Sequence, residues 1–132
     1  AKIENVISKC GFDPGISRGG PMLWEINDEK AWIRISYVQA TKFVIFDAPV
    51  SYVPEEKISD FFEFVLSENY EMKNVVFSLK NNELYLSVIT FEDDFNEDTG
   101  LLKLKELIDS AGGYRKNLFV RFNAKPIEDT SE

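Results

Sequence analysis

Residues 75–89 read VVFSLKNNELYLSVI. Val75, Phe77 and Leu79 alternate with Val76, Ser78 and Lys80; Leu84, Leu86 and Val88 then alternate with Tyr85, Ser87 and Ile89. A period of two marks a strand, because successive side chains point to opposite faces. Asn81 and Asn82 stand between the runs, and asparagine tolerates the positive φ that a two-residue hairpin turn requires. The stretch predicts a β-hairpin, and a pair of strands joined so tightly can only be antiparallel.

Upstream, Ile58, Phe61, Phe62, Val65 and Leu66 recur at helical spacing. Pro54, Glu55 and Glu56 mark the start of that helix, since proline suits the first turn and acids suit its positive end. It is expected to end near Asn69. Before it, Met22 to Ile26, Ala31 to Val38 and Lys42 to Asp47 read as three strands. In the second of these, Ala31, Ile33, Ile35 and Tyr37 point one way and Trp32, Arg34, Ser36 and Val38 the other. The third is apolar on both parities. At the start of the chain, Ile3, Val6, Ile7 and Cys10 make one stripe of a short helix, which Asp13-Pro14-Gly15 breaks; Gly19-Gly20-Pro21 keeps the following segment irregular. Downstream of the hairpin, Leu101, Leu104, Leu107, Ile108 and Ala111 share a helical stripe continued by Leu118, Phe119 and Phe122. Gly112-Gly113 predicts a kink or break inside it, because each glycine costs about 1 kcal/mol relative to alanine. Residues 127–132, after Pro126, are expected to fray. The expected order is α-β-β-β-α-β-β-α: an α+β fold with helices on one face of an antiparallel sheet, in a single domain spanning 1–132.

The chain has 132 residues, 44% of them hydrophobic, with 15 Lys+Arg against 23 Asp+Glu, a formal charge of −8. That suits one packed domain and argues against nucleic acid as a partner, since phosphate binding draws on clustered cations. No apolar run is long enough to span a membrane and no leader pattern opens the sequence. A lone cysteine suits a reducing, cytoplasmic setting. Zero histidines exclude Ser-His-Asp and Cys-His catalysis and His-ligated zinc.

Several marks together resemble the YbjN-like domains, a family described as bacterial sensory transduction regulators with the type III secretion chaperone-like fold. They are Ala48-Pro49, Val53-Pro54-Glu55-Glu56, a helix ending Glu68-Asn69, and the alternation through Phe77 and Leu79 into Leu84 and Leu86. The resemblance covers about residues 22–122 by the same element reading. It implies a small protein without an assigned catalytic site; relatives with this fold include dimeric chaperones that hold clients in extended form. The closing helix of such domains often carries an acid near its middle, where this chain has Gly112-Gly113.

The residue types that carry chemistry elsewhere fail here on spacing. An EF-hand started at Asp94 places Asn96 and Asp98 well but puts Thr99 and Lys105 where glycine and glutamate belong; started one later, it opens on Phe95. Glu56, Asp60 and Glu63 line the polar face of the Ile58 helix, whereas a hydrolytic carboxylate pair needs one member buried. Gly11, Gly15, Gly19 and Gly20 match no phosphate-loop pattern, and Cys10 reads as a small buried hydrophobe. The expectation is a non-enzymatic domain, with no metal and no cofactor.

If Ile33, Ile35, Phe77, Leu79, Leu84 and Leu86 face the helices, the opposite face carries Trp32, Val76, Tyr85, Ile89 and Phe91. A solvated face should be mostly polar, and an apolar patch marks a partner surface. These five are the candidate binding residues, for a second copy in a homodimer or for a client or regulatory protein. The bland account is that a loop or the first helix covers them. The alternative function is a small-molecule module with a pocket between sheet and helices, lined by Trp24, Phe43 and Phe62.

Overall fold

Asn81 turns the chain at φ 58°, and the two strands it joins sit at one edge of a larger sheet. The computed structural model describes residues 4, 7, 8, 18–20, 22–27, 32–72 and 74–127. Its strands are β1 (Arg18–Gly20), β2 (Leu23–Asn27), β3 (Trp32–Val38), β4 (Phe43–Tyr52), β5 (Val76–Lys80) and β6 (Glu83–Phe91). They form one sheet in the order β1-β2-β3-β4-β6-β5, every neighbouring pair antiparallel. Its helices are α1 (Ile58–Glu71) and α2 (Glu97–Phe122).

Cross-strand register divides the sheet into two faces. Ile35 pairs with Trp24 and Phe46, Phe46 with Val88 and Ala48 with Leu86, and Leu86 with Phe77. This inner face is buried under the helices with Phe61, Val65, Leu104, Leu107, Ile108, Ala111 and Leu118. Phe46 meets Phe95 edge-on at 5.8 Å, and Phe77 meets Tyr114 at 4.8 Å. Leu79, expected on the buried face, shares that parity but is 50% exposed on β5, the edge strand.

The named elements depart from the expected order at their beginning, which is a strand. β1 forms where an irregular segment was expected, pairing with β2 through a register shift. Ile3, Val6 and Cys10 of the expected first helix, with Gly11 and Gly15, lie outside the described residues. Glu4, Ile7 and Ser8 are helical, Ile7 is fully buried, and Glu4 accepts a hydrogen bond from Trp24 Nε1 at 3.3 Å.

Three boundaries are corrected by the structure. β4 does not stop at Asp47 but runs to Tyr52, with a bulge between Pro49 and Ser51. Proline lacks the ladder's donor and is tolerated at such a place; the ladder with β3 has already ended at Asp47. Beyond the bulge a short C-terminal segment takes over: Tyr52 N–H donates to Lys125, Ile127 N–H donates to Val50, and Ser51 bridges Pro126. Arg115 Nη1 clasps the Ile127 carbonyl at 2.7 Å. Ile127, the first residue of the expected frayed tail, is therefore buried; residues 128–132 lie outside the described residues.

The first long helix starts at Ile58 rather than Pro54. Pro54 is buried at the end of β4, and the chain enters the helix through Lys57 in the left-handed region, φ 57°. The last helix is unbroken through Gly112-Gly113. Asn96 and Thr99 cap its first turn reciprocally, and Asn123 ends it at φ 57°. Leu104, Leu107, Ile108 and Ala111 before the glycines and Leu118 after them are all buried. At about 1.5–3 kcal/mol per large apolar side chain, that packing outweighs the glycine cost. Phe119 lies one position off the stripe and is 45% exposed.

Candidate functional site

The face of the sheet turned away from α1 and α2 is built in rows across the strands. Register sets Val38 beside Phe43 and Phe43 beside Phe91, whose rings lie 4.9 Å apart. The next row is Leu23, Ser36, Ile45 and Ile89. The third is Glu25, Arg34, Asp47, Ser87 and Val76, and the fourth holds Pro49, Tyr85 and Ser78. Trp32 lies two residues before Arg34, on the same face and at the same end as that row.

The first two rows are apolar apart from Ser36. Ile89 is 58% exposed and Phe91 53%. Across four strands at about 4.8 Å spacing this strip is about 14 Å wide, and its residues neighbour one another as a partner surface requires. The third row is polar and bonded. Ser87 Oγ donates to Asp47 Oδ1 at 2.7 Å and shares a hydrogen bond with Ser78 Oγ at 3.1 Å, while Arg34 Nε stands 3.9 Å from Glu25. In the fourth row the Tyr85 hydroxyl donates to Glu83; burial first, then that bond, pushes its pKa up to about 12. Trp32 lies beneath the Arg34 guanidinium, which stands 5.9 Å from its ring centre, and its Nε1 is buried without a hydrogen-bond partner among the described residues.

All five residues singled out from the sequence lie on this face, but the structure does not bring them into one patch. Ile89 and Phe91 stand at the apolar end, Trp32 and Tyr85 beyond the polar row, and Val76 at the edge beside Ser87. Val38, Phe43 and Ile45 complete the apolar end and were not among the candidate binding residues read from the sequence. The signal for them was present in the two-sided apolar strand from Phe43 to Phe46; register was needed to send Val44 and Phe46 inward. The described residues of the chain's first segment do not cover the strip, because Glu4 contacts Trp24 on the helix side.

The alternative pocket does not assemble as expected. Trp24 is on the inner face and Phe43 on the outer, so the sheet separates them. A cavity of about 520 Å³ does exist elsewhere, where the end of β4, the Asn82 turn and the end of α2 converge; Tyr52, Lys57, Arg121 and Lys125 are among its lining residues. The acidic run after β6 has structural tasks: Glu92 accepts from the Tyr37 hydroxyl at 2.9 Å, a bond that raises the Tyr37 pKa, and Asn96 caps α2. Among the described residues no three metal-ligating side chains come together, and no helix is long and apolar enough to cross a membrane.

Solved structures, a type III secretion chaperone among them, superpose on this chain. The HopA1–SchA chaperone–effector complex matches with a TM-score of 0.67 at 9% identity, over 87% of this chain and 91% of that one. The ExoU–SpcU heterodimer from the type III secretion system of Pseudomonas aeruginosa matches at 0.66 and 12% identity, over 86% and 95%. The Yersinia pestis type III secretion chaperone SycH, solved with a fragment of YscM2, matches at 0.61 and 11% identity, over 85% and 95%. At such identities the likeness is one of fold. No family model matches the sequence, and no curated protein matches it.

Proposed function

We propose that this chain is a non-enzymatic, chaperone-like domain that holds a protein partner on the apolar end of its outer sheet face. The observation that carries the reading is the strip formed by Val38, Phe43, Ile45, Ile89 and Phe91, with Ile89 and Phe91 more than half exposed. Solved neighbours that include a chaperone–effector complex support it. Membership of the YbjN-like group, a cytoplasmic setting and a homodimer belong to the same reading. The exposed Ile58, Leu66 and Tyr70 of α1 offer a second copy a surface separate from the sheet, and light scattering on the intact chain tests that assembly.

Co-purification tests the client role. The intact protein and its Ile89→Ser/Phe91→Ser variant are each used to retain companions from the native host. A companion held by the parent and lost by the variant is the expected result; equal retention contradicts the assignment to the sheet. The small-molecule alternative has the 520 Å³ cavity at the end of α2 in its favour. Thermal shift against a metabolite library tests it, since a ligand selective for the native state raises the melting temperature.

A further inference from the structure

We infer that the cavity where the end of β4, the Asn82 turn and the end of α2 converge binds a zwitterion of the amino-acid or short-peptide class, with a free carboxylate and a free ammonium on an apolar body. The inference rests on the small-molecule reading of that cavity and names its ligand. At about 520 Å³ the space falls within the range of sites for small organic ligands, about 300–1,000 Å³. Side chains of both signs line it: Lys57, Arg121 and Lys125 to meet a carboxylate, Glu55 and Glu56 to meet an ammonium. Among the described residues none of these five forms an ion pair.

Rings steady two of the cations instead. The Arg121 guanidinium lies 4.4 Å from the centre of the Phe64 ring, and Lys125 Nζ lies 5.9 Å from that of Phe119. Such contacts hold a charge in place without neutralising it. Opposite charges kept apart around one space are complementary to a ligand that brings one of each. Val53, Val120 and Phe122 add apolar wall beside them; Val120 is 81% exposed, surface that an apolar side chain of the ligand would take out of water. From Lys125, beside Tyr52, the chain runs to Ile127, beside Val50, so its described end leads away from the cavity rather than into it. None of the five charged residues belongs to the rows of the outer sheet face, and the site is separate from the apolar strip.

The test titrates three probes into the intact protein by calorimetry: the dipeptide leucyl-phenylalanine with both ends free, its N-acetylated form and its C-amidated form. The free dipeptide is expected to bind at least about tenfold more tightly than either blocked form. Arg121→Gln/Lys125→Gln is expected to remove its advantage over the amidated form, and Glu55→Gln/Glu56→Gln its advantage over the acetylated form. All four residues are exposed, and an unchanged circular-dichroism spectrum checks that each variant folds. If the three forms bind the parent equally and Val120→Asp abolishes all three, the cavity is a small-molecule site but zwitterion selection is wrong. Free dipeptide binding that neither charge variant alters overturns the inference as well. If none of the three forms binds, the inference falls; a metabolite-library ligand whose thermal shift Val120→Asp abolishes then keeps the small-molecule reading, and no such ligand removes both.

Discussion

Ser51 is fully buried in β4, and its hydroxyl has no hydrogen-bond partner among the described residues. An unsatisfied buried hydroxyl costs about 1–3 kcal/mol of desolvation, so Ser51→Ala is expected to leave stability unchanged or raise it by up to about 1 kcal/mol in chemical denaturation. A loss greater than that would reveal a bond this geometry lacks. Tyr85 gives a residue-level expectation in pH. Its folded pKa stands at about 12 against an ordinary 10.0, chiefly through burial. The folded state therefore holds the phenolic proton more tightly, so this contribution is intact below pH 10 and is lost as pH rises towards 12. Tyr85→Phe should flatten that part of the alkaline unfolding profile. Gly113 stands exposed in mid-helix, and a Cβ placed there would meet nothing within 4 Å. Gly113→Ala should accordingly stabilise the protein by about 0.5–1 kcal/mol, read as a higher denaturation midpoint.

At the scale of elements, the exposed edge of the sheet is closed by a side chain. In a two-residue hairpin the backbone groups of Phe77 point away from β6. Asn69, near the end of α1, meets both: Phe77 N–H donates to Asn69 Oδ1 at 2.6 Å, and Asn69 Nδ2 donates to the Phe77 carbonyl at 3.3 Å. The amide thus imitates a neighbouring strand, fixes α1 to β5 and blunts an edge that could otherwise pair with another chain. Asn69→Ala is expected to cost about 1–3 kcal/mol, since two part-buried backbone groups lose their partners. Faster amide exchange at Phe77 would accompany it, and unchanged exchange would contradict the role. A second link between layers runs from the Tyr114 hydroxyl of α2 to Glu68 of α1 at 2.6 Å; burial and this bond raise the Tyr114 pKa.

For the whole molecule, what was legible in the sequence was what depends on local periodicity. The Asn81–Asn82 hairpin and the alternation of β3 stand where their patterns put them; of the expected α1 stripe Phe61 and Val65 are buried, while Ile58 and Leu66 are exposed. What was not legible depended on packing between distant segments. The end of β4 beyond Asp47 is legible only once the ladder with β3 is seen to stop at Asp47, two residues before Pro49, and residues 125–127 to take its place. Gly112-Gly113 reads as a break until the apolar stripe on both sides is seen pressed into one core. The candidate face was legible in its parity, since Trp32, Val76, Tyr85, Ile89 and Phe91 all emerge on it. Its division by Glu25, Arg34, Asp47 and Ser87 was not, because it arises from the register of four strands, which local periodicity does not fix.

The account stands on the apolar end of that face being open to solvent in the free protein and covered by a partner. Carbene footprinting of the intact chain, alone and bound to a companion that co-purifies with it, measures this directly. Phe43, Ile89 and Phe91 should label strongly in the free protein and severalfold less in the complex, while Leu102 and Val120, exposed on α2, label equally in both. Protection of Ile89 and Phe91 in the chain alone, or labelling unchanged by the companion, would contradict the account.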